Sequence, residues 1–174
     1  HVRFCEGLRV KLPWSTHPYI FTEEGWLYLA GIKDLFNGEL VGYAMSERMT
    51  TDLVIQALFR ATDRKLPKKG LILHSDRDSQ YCAHDYQEVL KQFGMISSMS
   101  GKGDCWDNAP MESFWGTLKS ELVHHQKFKT RLQAKEEITE YIEIFYNRQR
   151  KQEKLGYLSP VEFKQRYYAN LFAA

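Results

Sequence analysis

The first part of the chain carries the apolar patterns of β-strands, which are short runs or alternations of apolar residues bounded by turn residues. The predicted strands are 14–22, 26–32, 39–45, 71–73 and 95–99. Between the second and the third, Asn37-Gly38 is a dipeptide that favours a tight type I′ hairpin turn. Residues 1–13 show no clear period, and we interpret them as an N-terminal arm or linker. The pattern therefore predicts three antiparallel strands followed by two more.

Apolar residues at helical spacing predict helices at 51–65, 84–93, 107–122, 132–146 and 159–168. The last of these begins with Ser159-Pro160-Val161-Glu162, a capping box with proline at the first helical position. The order of elements predicts an α/β fold in which helices flank a mixed five-stranded sheet. We expect residues 14–125 to form this core and residues 126–174 to form a C-terminal helical extension.

Composition changes this picture little. Hydrophobic residues make up 43% of the 174 residues and aromatic residues 14%, which excludes a disordered chain. The formal net charge of +2 is a weak argument for nucleic acid, so DNA affinity would have to come from local basic patches. No apolar run approaches the roughly 18 residues of a membrane span and no signal peptide is visible, so we expect a soluble protein.

The three cysteines, Cys5, Cys82 and Cys105, show no CxxC spacing. Free thiols suit a reducing compartment, and we therefore expect a cytoplasmic protein. A zinc site that combines Cys82, His84 and Cys105 is an alternative interpretation. The sequence begins with His1 rather than methionine, which predicts a truncated N-terminus or a fragment.

Two acidic residues lie at positions suited to metal-dependent chemistry. The apolar run 71–73 predicts a buried strand that delivers Asp76 to its C-terminal end, where we expect it to open to solvent. Glu112 falls in the first turns of the helix for which Asn108 is the expected cap. Such carboxylates are hard oxygen ligands that hold Mg²⁺ or Mn²⁺ for phosphoryl transfer. The structural alternatives are an Asp76 that caps a turn and a Glu112 that complements the helix dipole.

The residues around both acids resemble the catalytic core of bacterial insertion-sequence transposases of the DDE type, a core that is similar to retroviral integrases. The stretches that carry this resemblance are His74-Ser75-Asp76-Arg77-x-Ser79-Gln80-Tyr81 and Asp107-Asn108-Ala109-x-x-Glu112-Ser113-Phe114. The 35 residues between Asp76 and Glu112 agree with the family spacing. The resemblance extends from about Trp14 to Phe163 and implies a ribonuclease-H-like fold.

The resemblance also implies a set of roles. Asp76 and Glu112 would bind two Mg²⁺ or Mn²⁺ ions and catalyse DNA cleavage, followed by transfer of the freed 3′ end to target DNA. Lys119 matches a basic residue of the family, and two helical turns place it on nearly the same face as Glu112. The phosphate-binding residues would be Lys102, Lys119, Arg148, Arg150 and Lys151. The implied partners are DNA, further copies of the chain and a separate helix-turn-helix segment upstream.

The first predicted strand departs from the family pattern, which reads Trp, any residue, Thr, Asp, an apolar residue and then Thr-Tyr-Ile. Here the strand reads Trp14-Ser15-Thr16-His17-Pro18-Tyr19-Ile20, one residue shorter, with His17 in place of the acid. A neutral imidazole brings no negative charge, and proline is poorly tolerated inside a central strand. Asp78 stands where the family usually has glycine. We therefore predict weak or absent catalysis.

Two other functions remain open at this point. An inactive transposase remnant would fold and bind DNA, or an active partner, without cutting. A glycosidase would use Asp76 and Glu112 as a carboxyl pair about 5 to 9.5 Å apart in an aromatic-lined sugar cleft. The motifs do not favour the glycosidase, and binding of a divalent cation would separate an active core from a remnant.

Overall fold

A computed structural model of the protein describes residues 9–11, 19–101 and 109–173. In this part of the chain six strands form one mixed sheet. They are β1 (Arg9–Lys11), β2 (Tyr19–Thr22), β3 (Gly25–Asp34), β4 (Leu40–Ser46), β5 (Ile72–Ser75) and β6 (Ile96–Met99). The α-helices of the described ranges are α1 (Thr51–Arg64), α2 (Ser79–Cys82), α3 (His84–Gln92), α4 (Ala109–Glu121), α5 (Arg131–Glu140) and α6 (Pro160–Ala173).

The long strand β3 organises the sheet because both of its edges are occupied. Lys33 pairs with Leu40 of β4 and with Lys11 of β1, so β1 and β4 lie on opposite edges. Tyr28 pairs in the same way with residues of β4 and β2. β5 is parallel to β1, and β6 is parallel to β5. The strand order across the sheet is therefore β4, β3, then β1 and β2 in one shared position, then β5 and β6. This confirms the predicted mixed sheet, with five strand positions.

Each face of the sheet has its own apolar cluster. Ala30 and Ile32 of β3 pack with α1, α2 and α3 on one face, whereas Leu27 and Leu29 pack with α4 and α5 on the other. The alternation follows from the two-residue period of a strand. Helix α1 approaches β4 so closely that a Cβ atom at Gly42 would lie 2.4 Å from the carbonyl oxygen of Ala57. The helices thus cover both faces of the sheet.

The connection between β3 and β4 differs from the predicted type I′ turn. That turn needs positive φ at both central residues, but only Gly38, with φ of 76°, has it. Asn37 is instead buried, with its Oδ1 accepting the N–H of Glu39 at 3.1 Å and its side-chain amide donating to the carbonyl of Pro160 at 3.4 Å. The prediction was wrong: the N–H of Gly38 donates to the carbonyl of Asp34 at 2.7 Å and the N–H of Asp34 to the carbonyl of Glu39 at 2.8 Å, which closes a longer loop.

The remaining elements agree with the sequence patterns within a few residues, with four differences, the first of which is the short helix α2, which was not predicted. Residues 9–11, which we assigned to an arm or linker, form β1. The predicted helix 132–146 consists of α5 and a π-helical segment, Tyr141–Tyr146. Helix α6 runs to Ala173, and its capping box is confirmed: Glu162 Oε2 accepts the N–H of Ser159 at 2.7 Å, and Ser159 Oγ accepts the N–H of Glu162 at 3.4 Å.

Candidate active site

The carboxyl end of β5 positions Asp76, the first of the two predicted metal-binding acids. The Asp76 side chain has 0% exposed surface, in contrast to the solvent-facing position that we expected. Its Oδ1 accepts the N–H of Asp78 at 2.9 Å. Its Oδ2 is buried and has no hydrogen-bond partner among the described residues. A buried carboxylate oxygen without a partner is costly, so this atom is an open position for a ligand or a proton.

The surroundings of Asp76 favour its neutral form. Burial raises the pKa of Asp76 to about 7; the hydrogen bond from the N–H of Asp78 opposes this rise and the Asp78 carboxylate adds to it. Burial also raises the pKa of Asp78. The pKa of Tyr86 is raised by burial and then by the charge of Asp76. A cation at Asp76 Oδ2 would reverse this trend, because a positive charge stabilises the ionised carboxylate.

Residues on both sides of Asp76 are tied to β6 and the chain that follows it. His74 Nδ1 lies 2.9 Å from Ser98 Oγ, and His74 Nε2 lies 3.0 Å from Ser100 Oγ. Arg77 Nε donates to the carbonyl of Ser100 at 2.8 Å. Asp76 is therefore carried on a braced strand end, which is the kind of support that keeps a functional side chain in place.

Helix α4, which carries Glu112 in its first turn, is anchored to the sheet by a buried lysine of β3. Lys33 Nζ donates to the carbonyl of Pro110 at 2.9 Å. It also lies 5.7 Å from the ring centroid of Phe114 and 5.6 Å from that of Tyr146, within the range of cation–π attraction. The bond fixes the first turn of α4, and with it the backbone near Glu112, on the central sheet.

Lys33 is only 2% exposed, which is rare for a lysine, and it forms no ion pair with a carboxylate of the described residues. Burial, together with the charges of Lys154 and Arg150, lowers the pKa of Lys33 to about 7. This residue was missed in the sequence because the predicted strand 26–32 ends just before it, whereas β3 runs to Asp34. The available signal was positional: Lys33 continues the alternation of Leu27 and Leu29 on the face that α4 covers.

From this anchor, α4 runs antiparallel to β3. A Cβ atom at Gly31 would lie 2.9 Å from Trp115 Cη2, so the absence of a side chain at Gly31 lets the helix come close. Further along, Lys119 Nζ lies 5.4 Å from the ring centroid of Tyr19, which pairs with Tyr28 of β3. Glu112, which is half-buried, therefore lies on α4 between the contacts at Lys33 and at Gly31.

The register of the sheet relates this part of α4 to Asp76. His74 pairs with Lys11, and Lys11 pairs with Lys33, so these three residues are level across the sheet. Asp76 lies two residues beyond His74, past the end of β5, in the direction that leads from Lys33 back towards Gly31. β3 and β5 are two strand spacings apart, or about 10 Å. Asp76 and the start of α4 thus both extend from the level of Lys33 towards the same end of the sheet.

Three of the predicted DNA-contacting residues follow the π-helical segment and already have partners. Arg150 Nη2 lies 2.7 Å from Glu121 Oε1, and Lys151 Nζ lies 2.5 Å from Glu162 Oε2. Arg148 Nε donates to a backbone carbonyl at 3.2 Å. The fourth, Lys119, lies beside Tyr19 as described above. The fifth, Lys102, lies outside the described residues.

Two stretches that bear on the site, 12–18 with His17 and 102–108 with Asn108 and Cys105, also lie outside the described residues. Within the ranges that the structure describes, no group of three or more His, Cys, Asp or Glu side chains could hold a metal ion. What fits a divalent cation there is the oxygen chemistry of Asp76: a buried Oδ2 without a partner and a second carboxylate, Asp78, two residues away. In the same ranges no helix is long and apolar enough to cross a membrane.

The same architecture is found in viral integrases, which places this chain in the ribonuclease-H-like class. The catalytic core domain of HTLV-2 integrase, solved in complex with magnesium in a trimeric form, matches with a TM-score of 0.59. That match covers 88% of this chain and 93% of the integrase chain at 13% identity. An intasome of simian T-cell lymphotropic virus matches with a TM-score of 0.58 over 71% of this chain and 44% of the viral chain, at 16% identity.

Sequence comparison narrows the class to a family. The family model described as the integrase core domain matches residues 15–105, and a second model of the same description matches residues 112–167. The chain belongs to the integrase core domain family, within the branch of insertion-sequence transposases of the DDE type. This confirms the predicted resemblance.

Proteins encoded by three insertion elements support this assignment. The chain is 57% identical over 150 residues to an uncharacterized 31 kDa protein of insertion element IS600 from Shigella sonnei, a match that covers 86% of this chain and 55% of the relative. It is 47% identical over 146 residues to the transposase of IS904 from Lactococcus lactis, covering 84% and 58%. It is 43% identical over 151 residues to the transposase InsF of IS3A from Escherichia coli, covering 87% and 52%. The chain thus spans about half the length of these relatives.

Proposed function

We propose that this chain is the catalytic core of a DDE-type transposase, which cuts DNA at the ends of a mobile element and joins the freed 3′ hydroxyl to target DNA. The observation that carries the proposal is the buried, unpartnered Oδ2 of Asp76 at the carboxyl end of a central strand. Glu112 supplies the second carboxylate from the first turn of α4. Transposases that are 43% to 47% identical to this chain support the reaction class.

In this proposal Asp76 and Glu112 hold divalent cations, Mg²⁺ or Mn²⁺, through oxygen ligands. Bound cations of this kind activate the attacking oxygen and stabilise the leaving oxygen of an in-line displacement at phosphorus. Asp76 has to give up the proton that burial favours, so it binds a cation with release of a proton. Magnesium in the HTLV-2 integrase core supports the choice of cation class.

The remaining residues position these acids and the DNA. Lys33, which is level with His74, holds the first turn of α4, and His74 braces β5 against Ser98 of β6 and Ser100 after it. Lys119, Lys102 and the cluster of Arg148, Arg150 and Lys151 contact backbone phosphates. Arg150 and Lys151 exchange their present acidic partners for phosphate, and each such contact steepens the salt dependence of binding.

We further propose that catalysis by this chain is weak, because His17 replaces the acid of the first strand. Three carboxylates would hold the divalent cations of such a site, and a neutral imidazole in place of one of them would supply no charge to hold them. A strand-transfer assay in Mn²⁺ tests this statement. We expect joining near background for the natural sequence; efficient joining that disappears in Glu112→Gln would refute the impairment and support the assigned site.

A repair of the first strand tests the activity itself. Replacing Thr16-His17-Pro18-Tyr19 by Thr-Asp-Ile-Thr-Tyr restores the family pattern. We expect cleavage and joining to rise by a factor of about 100 or more, because a missing electrostatic contact at a reacting centre costs several kcal/mol. The same repair with Glu112→Gln is the matched control and should stay inactive. No gain in the repaired chain would count against the proposed transposase chemistry.

The second candidate is a remnant that binds DNA or an active partner but does not cut. The full burial of Asp76 favours it, since a carboxylate without exposed surface has to become accessible before it can act. DNA binding without cleavage, in both the natural and the repaired chain, would identify the remnant.

We also propose two kinds of partner beyond DNA. The chain spans about half the length of its transposase relatives, so a helix-turn-helix segment that selects the element ends belongs to the part that it does not span. Copies of the chain assemble on DNA, a proposal supported by the trimeric form of the HTLV-2 core. Light scattering with and without a DNA end should show the mass of a multimer, and a monomer under both conditions would contradict this.

A further inference from the structure

The hairpin of β2 and β3 exposes three aromatic side chains at one edge of the sheet. Along β2, Ile20 and Thr22 are buried, whereas Tyr19 and Phe21 are 55% and 63% exposed. Trp26 of β3, 46% exposed, pairs with Phe21 across the two strands. The rings meet edge to face, with centroids 5.0 Å apart for Tyr19 and Trp26 and 5.3 Å apart for Phe21 and Trp26. Aromatic rings in this arrangement leave their faces open to a further ring.

These rings form one wall of a groove of about 510 Å³. We call it the aromatic groove; its walls include Tyr19, Phe21, Trp26, Lys119, His124 and Lys127. A volume of this size is in the range of small-ligand sites. Lys119 Nζ stands 5.4 Å from the Tyr19 centroid, so a positive charge lies directly beside the rings. Among the described residues of the lining, Glu23 is the acidic one, and basic residues outnumber it.

The aromatic groove lies further along β3 and α4 than the candidate active site, in the direction in which α4 runs. β1 and β2 follow the same edge of β3 in the same direction, and β5 is parallel to β1. β2 therefore continues past the carboxyl end of β5, where Asp76 lies. Along α4, the seven residues from Glu112 to Lys119 correspond to about 10 Å. A DNA strand rises about 3.4 Å per nucleotide in a duplex, so the groove is two or three nucleotides from the site.

We propose that the aromatic groove binds an unpaired nucleobase of the DNA strand that enters the active site, with Lys119 on the adjoining phosphate. The inference rests on the proposed function for the presence of DNA. Half-exposed aromatic rings next to lysines are the recognition chemistry of single-stranded nucleic acid, in which bases stack on rings and cations follow the backbone. These three rings keep about half of their surface exposed, so surface remains on which a base can stack.

Binding of DNA in EDTA tests the groove without any cleavage. Fluorescence anisotropy would compare a labelled 15-nucleotide oligothymidine with a duplex of the same length. We expect Trp26→Leu to weaken binding of the single strand about tenfold and binding of the duplex less than twofold, since one stacked base is lost. Trp26→Phe keeps an aromatic face and should restore single-strand binding to within about threefold. Phe172→Leu, which removes an 85% exposed ring on α6, is the matched control and should change neither.

Two further measurements separate stacking from loss of structure. A forked duplex with 2-aminopurine at its unpaired end should lose fluorescence on binding to the natural chain and not to Trp26→Leu. Lys119→Met should weaken binding of both DNA forms and lower the slope of log K against log salt by about 0.7 for the single strand. Melting curves check that each variant is folded.

The outcomes distinguish the groove from the proposed function. Equal effects of Trp26→Leu on binding of single-stranded and duplex DNA, or no effect on either, would overturn the proposal that the groove binds a base. Neither result would bear on the metal-dependent reaction, which the strand-transfer assay tests separately. Absence of single-strand binding by the natural chain would overturn it as well. A dimer that Trp26→Leu converts to monomer, with DNA binding unchanged, would show that another copy of the chain covers these rings and would also overturn it.

Discussion

Asp34 and Asp76 are both buried aspartates at the carboxyl ends of strands, yet their second carboxylate oxygens differ. Each first oxygen accepts the N–H two residues further on, from Phe36 and from Asp78 respectively, at 2.9 Å. Asp34 Oδ2 then pairs with Lys65 Nζ at 3.0 Å, whereas Asp76 Oδ2 has no described partner. The same local turn thus carries a satisfied acid at one end of the sheet and an unsatisfied acid at the other.

The difference separates a structural acid from a candidate functional acid. Lys65 also lies 2.7 Å from Glu39, and Lys164 lies 3.4 Å from the same carboxylate, so charge is balanced around Asp34. Around Asp76 the charge of another acid, Asp78, adds to the effect of burial, and the pKa of Asp76 is raised to about 7. A bound cation would offset the cost of ionising such a buried carboxylate. The predictions below test this contrast, starting with the largest effect.

Removing the charge should have opposite consequences at the two acids. Asp34→Asn leaves Lys65 with a single acidic partner, and we expect a loss of about 3 kcal/mol in the free energy of unfolding. Asp76→Asn removes no ion pair and should cause no such loss. Urea denaturation at pH 8 in EDTA measures both, with the exposed Asp63→Asn as control. Equal destabilisation by the two substitutions would break the comparison.

Lys33 extends the contrast to a buried cation. Its pKa is lowered to about 7, so the folded and unfolded states are both protonated below pH 7, and the folded state then bears the full cost of the buried charge. Between pH 7 and about 10 the unfolded chain binds more protons, so stability rises with pH. The natural chain should therefore gain up to about 3 kcal/mol relative to Lys33→Met over this interval. Parallel unfolding curves for the two proteins would contradict the assignment.

Binding of Mn²⁺ should raise the stability of the fold, and this gain should depend on Asp76. At a concentration 100 times the dissociation constant, a ligand that binds only the folded state adds about 2.7 kcal/mol. Melting in increasing Mn²⁺ should show this gain for the chain with the repaired first strand, and Asp76→Asn or Glu112→Gln in that chain should remove it. Asp63→Asn should keep the gain. A gain that survives Asp76→Asn would place the cation elsewhere.

Without metal, Asp76 should destabilise the fold at neutral pH. Because its pKa is raised from 3.8 to about 7, the folded state binds more protons between these values, and its stabilising contribution is lost as pH rises from about 4 to 7. After allowance for solvent relaxation we expect the natural chain to lose about 1 to 2 kcal/mol relative to Asp76→Asn over this range. Difference curves of unfolding free energy in EDTA measure it, and a flat difference would refute the raised pKa.

At the surface a paired charge should matter least for stability. Lys151 and Glu162 form an exposed pair, and Lys151→Met should change the free energy of unfolding by less than about 1 kcal/mol. If Lys151 exchanges Glu162 for a phosphate, the same variant should lower the slope of log K against log salt for duplex DNA by about 0.9. An unchanged slope would remove Lys151 from the DNA surface.

Much of the fold could be predicted from local patterns. The alternation in β3, the helical spacing in α1 and the capping box of α6 each lie within one short segment, and each element lies near its predicted bounds. The burial of Asn37 could not be predicted in this way. Its side-chain amide donates to the carbonyl of Pro160, which is 123 residues away.

In the candidate site, too, features set by local sequence could be predicted and features set by distant contacts could not. The motif residues around Asp76 and Glu112 are enough to identify both acids, and the catalytic role of these acids stays a prediction. Lys33 could be recognised only weakly from the sequence. The same residue pattern in a strand fits a lysine that faces solvent and a lysine that contacts the start of a helix. The aromatic groove needed the hairpin of β2 and β3 and the far end of α4 together.

The sequence by itself determined the order of the strands and helices other than β1 and α2, the family and the two candidate acids, because periodicity and motifs are properties of neighbouring residues. The tertiary structure decided that Asp34 finds a lysine and Asp76 does not, that Lys33 holds the helix of Glu112, and that three rings stay exposed beside Lys119. Burial and the choice of partner depend on residues brought together from distant parts of the chain. Those contacts set the pKa values and the free surfaces on which the proposed chemistry depends.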